Sequence, residues 1–278
     1  MSLAAEARKA RGIATAVLLL PALVQFFPLF YLVCVSFKVG PEVIQYPPKL
    51  LPSSLSLENY RLALESAPLL RFLWNSLVVA VGITVCQVVT SILAAYALSR
   101  MEFRGKKVAL GLIVATMLVP GEVTIIPNYF AMAALDWLNT YRALIAPYSA
   151  SGFGVFLLYQ FFRAIPKELE EAAIVDGASR MRFLFQFMVP LSAPAIMAFA
   201  IYAFVNAWNQ YLWPLVVTQS TSMQTVQIGL GMFRSQNEST SWGVIMAATT
   251  LLVIPSVALF VATQKQFVRG ITMAGLKG

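Results

Sequence analysis

The chain has 278 residues, 59% of them hydrophobic and only 12% charged, where a soluble domain carries about a quarter charged residues; this is the composition of an integral membrane protein. The net charge of +8 is spread between apolar runs and is not gathered on one face, which sets nucleic acid aside as a partner. Histidine is absent and both cysteines, Cys34 and Cys86, lie inside apolar runs, which excludes a His/Cys metal site and gives no support to a structural disulfide.

Residues 1–12 form a short basic N-terminus with Arg8, Lys9 and Arg11. The apolar run 13–37 is long enough to cross a bilayer and longer than a signal-peptide core, so it is predicted as the first span, kinked near Pro21 and Pro28. A proline-rich polar loop follows, inside which Leu57-Glu58-Asn59-Tyr60 opens a short amphipathic helix. The second span is predicted over 72–98, where Gly82, Ser91, Ala94 and Ala95 allow close helix contact. After a tight basic loop, the third span covers 108–132 and is interrupted at Pro120-Gly121 and Pro127. Gly105-Lys106 is the only Gly-Lys pair. Arg100 stands where the first glycine of a phosphate-binding loop belongs, so the chain does not bind ATP by that device. Glu122 is the only acidic residue well inside a predicted span. A carboxylate is costly in lipid and faces protein or water. Two readings stay open for it: a group lining a pathway, or the partner of Arg142 or of a cation on another chain. The fourth span covers 144–162.

Residues 163–189 are the most charged stretch of this apolar chain. Pro166 suits the first position of a helix. Glu168, Glu170 and Glu171 place negative charge in its first turns, as the helix dipole favours. Gly177 can take the left-handed conformation that stops a helix, and Ser179 can cap the next one, which carries Arg180 and Arg182. Helix, tight turn, helix is the prediction. Leu169, Ala172 and Ala173 share a face small enough for another protein to come close. Composition alone leaves a solvated charged loop equally open.

The spacing narrows this. Glu171-Ala172-Ala173, three residues, Gly177, nine residues, Phe187, one residue, Val189-Pro190 resembles the EAA motif of ABC-importer permeases. The family pattern ends in Ile, any residue, Leu-Pro; Phe187 and Val189 replace the Ile and Leu, apolar for apolar. The resemblance implies that the first helix of this loop is a coupling helix seated in a groove of a separate cytoplasmic ATPase. On that basis Glu168, Glu171, Ala172, Ala173, Asp176, Gly177 and Pro190 are its candidate coupling residues.

The fifth span is predicted over 190–217 and the sixth over 242–263, with a polar loop between them and a basic tail, 264–278. Near the end of the fifth, Asn206, Trp208, Asn209, Gln210, Tyr211 and Trp213 crowd three amides and three rings together. Amides exchange hydrogen bonds with hydroxyls, and aromatic faces pack on the apolar faces of sugar rings. With Glu122 these are the candidate pathway residues for a sugar or polyol. An interfacial aromatic belt also explains the rings, but not Asn206. The glycine-punctuated tail Phe267–Gly278 reads alone as a frayed terminus. It also resembles the ending of the carbohydrate-importer branch of the family, and Trp208–Pro214 resembles a segment of permeases for glycerol-3-phosphate and related compounds.

Orientation follows from charge. The two termini, the 99–107 loop and the 163–189 loop hold fourteen of the twenty Lys and Arg residues. By the positive-inside rule both termini and the charged loop are cytoplasmic. The expected fold is all-α, with six transmembrane helices in a bacterial inner membrane. The resemblance implies a non-catalytic translocation subunit of an importer for a sugar or sugar derivative. It also implies a second permease chain of different sequence, two ATPase subunits that carry ATP and Mg, and an extracytoplasmic solute-binding protein; no cofactor is expected in this chain. An ATP-independent secondary transporter or channel is the alternative. One carboxylate in the spans is few for a proton relay. An intramembrane enzyme would need paired catalytic residues at membrane depth, which are absent from the spans as predicted, and a scaffold would not need the coupling pattern.

Overall fold

The computed structural model describes residues 2–235 and 242–275, with side chains for 17–232, 242–258 and 261. Every regular element among them is helical. In chain order they are α1 (Ser2–Ser36), α2 (Glu58–Ser66), α3 (Leu69–Arg100), α4 (Lys106–Thr116), α5 (Ile125–Ala134), α6 (Tyr141–Ile145) and α7 (Gly152–Ala164). Then follow α8 (Lys167–Val175), α9 (Arg180–Phe183), α10 (Val189–Leu191), α11 (Ala193–Trp208), α12 (Leu212–Val217), α13 (Val226–Ser235) and α14 (Trp242–Gly275). The chain divides into two compact units, Met1–Leu69 with Leu230–Ile254, and Leu70–Gly229 with Pro255–Gly278.

Within the described residues, Val17–Ser36 of α1 and all of α3 are long and apolar enough to cross a membrane alone. Three further stretches reach that length only as bent pairs: Lys106–Thr116 with Gly121–Ala134 (97°), Tyr141–Tyr148 with Gly152–Ala164 (47°), and Arg180–Leu191 with Ala193–Trp208 (79°). Trp242–Ala258 is a shorter apolar helix. The sequence predicts uninterrupted fourth and fifth spans; both are broken. Pro127, predicted to interrupt the third span, sits instead in the first turn of α5, where its missing N–H has no helical partner to lose. The break itself is at Pro120, whose backbone is extended (ψ 134). Both Pro21 and Pro28 lie inside α1. The helix of the predicted sixth span continues past 263 to Gly275, so the backbone at 267–275 is helical and not frayed. The side chains of Arg8, Lys9, Arg11, Arg234 and the tail lie outside the described ones.

In the first unit, the polar loop after α1 is pinned by buried polar groups. Asn59 on α2 donates from Nδ2 to the carbonyls of Ser36 (3.0 Å) and Lys38 (2.6 Å), which the end of α1 leaves without helical partners. Gly243 backs onto that amide: a Cβ there would lie 2.6 Å from Nδ2. Lys38, 1% exposed, donates to the Lys49 carbonyl and lies 5.3 Å over the Tyr31 ring.

The second unit packs α3, α7 and α11 through small residues. A Cβ on Gly154 would meet Phe199 at 2.1 Å and Ser91 Oγ at 2.5 Å, and one on Gly82 would meet Ile145 at 2.7 Å. These positions let backbones approach as the sequence predicts for Gly82, Ser91 and the buried Ala95. Ile92, Tyr96, Leu158, Phe162, Phe183, Leu184 and Met188 form the core where α3 and α7 meet the second arm of the charged stretch.

Candidate functional site

The charged stretch folds as its local residues dictate. Ile165 and Pro166 are extended (ψ 130 and 142), and α8 begins at Lys167. Pro166 is thus the residue before the helix and not its first position; the ring fixes φ at −57, which suits either. Glu168 and Glu170 occupy the first turn. The end is a Schellman motif. Gly177 is left-handed (φ 78), Ala178 N–H donates to Ala173 O (2.8 Å), and Gly177 N–H donates to Ile174 O (3.0 Å). Ser179 then caps α9, accepting from Arg182 N–H (3.3 Å). After α9 the backbone widens into a π-helical turn at Leu184–Met188. Pro190 explains it: it cannot donate to the carbonyl four residues back, and its ring crowds that position. Ser192 ends this arm, and the chain bends by 79° into α11.

α8 has two unlike sides. Ala173 is buried in the core, and Glu170 pairs with Arg100 at the end of α3 (Nη1–Oε2 3.5 Å). Arg100 also donates from Nη2 to the carbonyls of Phe162 (2.9 Å) and Ile165 (2.6 Å). One turn earlier on α3, the Tyr96 hydroxyl donates to Arg180 O (3.0 Å). The other side is exposed: Glu168, Leu169, Glu171, Ala172, Ile174, Asp176 and Val175, the last at 86%. Of the sequence candidates, Glu168, Glu171, Ala172, Asp176, Gly177 and Pro190 lie at the surface. Ala173 does not share that surface with Leu169 and Ala172; it turns into its own chain, because a helix anchored through Glu170 must bury the neighbouring position at i+3. Sequence reasoning missed the clamp. Nothing local links Arg100 to Glu170 or Tyr96 to Arg180.

The amide-rich segment splits similarly. α11 stops at Trp208 and α12 starts at Leu212, so Asn209–Tyr211 is a break and not the interior of a span. Trp208 is 3% exposed and stacks on Phe204 (5.7 Å between centroids). Trp213 is buried and donates from Nε1 to Ala143 O (3.0 Å). Neither ring lines an open face. Asn206, Asn209 and Tyr211 do, with Gln210 half-buried. Asn206 Nδ2 bonds Tyr202 O (2.8 Å) and Asn209 Nδ2 bonds Val205 O (2.9 Å), while Gln227 donates to Asn209 Oδ1 (3.2 Å). Tyr202, itself exposed and in contact with Phe153 (4.9 Å between rings), continues the stripe. Its signal is in the sequence, since 202, 206 and 209 fall at i, i+4 and i+7. Glu122 sits on an exposed 3-10 turn, Gly121–Thr124, in the break between α4 and α5. Arg142 lies over Trp137 (5.9 Å), and among the described residues no ion pair joins it to Glu122.

Broken apolar spans that carry an exposed acidic helix–turn–helix define a membrane transport permease. The chain belongs to the family of binding-protein-dependent transport system inner membrane components, whose model matches residues 87–273. It is 36% identical over 263 residues to the sn-glycerol-3-phosphate transport system permease protein UgpE of Brucella melitensis, covering 92% of this chain and 93% of that protein. It is also 36% identical over 270 residues to the sulfoquinovosyl glycerol transport system permease protein SmoH of Agrobacterium fabrum, covering 96% and 93%. Among solved structures, a chain of a bacterial ABC transporter that imports the acidic polysaccharide alginate superposes with a TM-score of 0.83 at 25% identity, covering 94% of this chain and 98% of that one. The resemblance read from Glu171-Ala172-Ala173, Gly177 and Pro190 is borne out: the chain is an ABC-transporter permease subunit.

Proposed function

We infer that the chain is one half of the translocation pathway of an ATP-driven importer for a sugar or sugar derivative, and that α8 is its coupling helix. The observation that carries this is the two-sidedness of α8. One side is fastened to the ends of α3 and α7, while Leu169, Ile174 and Val175, flanked by Glu168, Glu171 and Asp176, stand out in solvent. Apolar side chains standing in solvent among carboxylates fit a complementary protein groove.

Six crossings follow if α1, α3, the three bent pairs and α14 each span the bilayer. Both termini and α8 then face the cytoplasm by the count of basic residues. The proposed assembly holds a second permease chain, two ATPase subunits that bind ATP and Mg, and an extracytoplasmic solute-binding protein; the family's description as binding-protein-dependent supports the last of these. ATP-driven closure of the ATPase pair moves α8, and the spans switch the pathway between its two openings. Asn206, Asn209 and Tyr211, joined by Tyr202, present hydroxyl-matching groups to the solute. Glu122 marks a second exposed point on the pathway. The names of the relatives, for glycerol phosphate and a sulfosugar glycerol, support a hydroxylated solute.

The test is capture of the ATPase. Placing charge at two of the exposed apolar positions of α8, Ile174→Asp with Val175→Asp, leaves the chain's insertion and yield unchanged and removes ATPase co-purification. Unaltered capture together with unaltered uptake refutes the assignment.

A further inference from the structure

The geometry points to Arg100 as a positioning residue that carries the movement of α8 into the membrane helices through its pair with Glu170. This rests on α8 being the helix that the ATPase grips.

Three observations converge on it. First, the Arg100 side chain is 3% exposed and Glu170 is 20% exposed, so the pair works in a medium where charges interact strongly and a stranded charge is costly. Second, the guanidinium fork contacts three segments at once. Nη1 meets Glu170 on α8, and Nη2 meets the Phe162 and Ile165 carbonyls at the end of α7, while the residue itself is the last of α3. Only arginine's planar set of donors makes such a three-way joint; a lysine is a single point charge. Third, among the described residues the other fastenings near α8 are apolar or run through the backbone. Ala173 packs in the core, and Tyr96 holds the far arm by the Arg180 carbonyl. Apolar contacts permit sliding. A buried ion pair resists separation of its partners, so pulling Glu170 pulls the ends of α3 and α7 together. Nε of Arg100 is buried without a partner among the described residues, so if Glu170 leaves, the guanidinium is held only by the two carbonyls at the end of α7.

The experiment uses the complete complex in lipid nanodiscs, with the binding protein loaded with sn-glycerol 3-phosphate as the probe. ATPase capture is measured, then ATP hydrolysis with and without the loaded binding protein. Glu170→Gln keeps size and one acceptor but removes the charge. It is expected to capture ATPase at the wild-type level and to hydrolyse ATP within twofold of wild type when unstimulated. Its stimulation by the binding protein should fall at least fivefold. Arg100→Met combined with Glu170→Met leaves no stranded charge, and it should show the same loss. Wild-type stimulation in that double variant overturns the inference, because the pair is then replaceable packing. Loss of ATPase capture in Glu170→Gln also overturns it, because the pair then shapes the gripped surface. A wild-type chain that captures no ATPase overturns the coupling-helix assignment, and the inference with it.

Discussion

At its N-terminal end α3 holds its neighbours with hydrogen bonds to uncharged groups, and at its C-terminal end also with an ion pair. Asn75, fully buried, donates from Nδ2 to the carbonyls of Ser222 and Gln224 (both 2.8 Å) and accepts from the Tyr141 hydroxyl (2.7 Å). Ser76 accepts from Val226 N–H (2.8 Å), and Arg71 Nε donates to Ser222 O (3.0 Å). From across the loop, left-handed Asn139 accepts from Gln219 N–H, Ser220 N–H and Ser220 Oγ. That end is a closed joint: each group named has its partner inside the chain. The C-terminal end is open. Arg100 meets Glu170 at 3.5 Å, and the helix it holds leaves Leu169, Ile174 and Val175 in solvent. A segment that must stay put is best tied by many hydrogen bonds at short range. A segment that must respond to a partner is better tied by one buried ion pair.

Three substitutions sharpen this contrast. Asn75→Leu should have the largest effect, because it leaves the Gln224 carbonyl and the Tyr141 phenol without their partner in a part-buried site, at a cost of about 2 kcal/mol or more, while Ser222 O keeps Arg71. The expected readout is a lower thermal midpoint for the purified chain, with ATPase capture unchanged in the fraction that remains folded. If capture fell while the midpoint held, the closed joint would be part of the coupling apparatus. Gly177→Val should come next. A Cβ there meets nothing within 4 Å, so the penalty is the left-handed backbone alone, about 1–2 kcal/mol. It should unwind the turn after α8 and suppress uptake and ATPase capture, while insertion is normal. Gly177→Asn, which tolerates that conformation, should recover most of the activity. Asn206→Ala should be smallest in stability, roughly 0.5 kcal/mol at an exposed site, yet it should raise the apparent KM for uptake of sn-glycerol 3-phosphate several-fold. A wild-type KM would remove Asn206 from the pathway.

Much of the loop at 163–190 was legible because its signals are local. Gly177 and Ser179 act within three or four residues of where they stand, and their roles in the structure are those predicted. The fifth span was less legible. Periodicity sees apolar residues through Val217, but the interruption at Asn209–Tyr211 arises from side-chain amides turning back on carbonyls of the helix that ends there. The aromatic cluster misleads for a related reason. A tryptophan reads the same in sequence whether its ring faces solute or, like Trp208, stacks on Phe204 in the interior.

By itself, then, the amino-acid order determined a helical membrane chain, the rough places of its apolar stretches and the turn chemistry of the acidic loop. Each of these depends on groups a few positions apart, or on composition summed over a window. Only the tertiary structure decided which side of α8 is fastened, which of the amide-rich residues stay exposed, and where the spans bend. Those outcomes depend on pairs such as Arg100 with Glu170, brought together by packing across distances in sequence that no local pattern encodes.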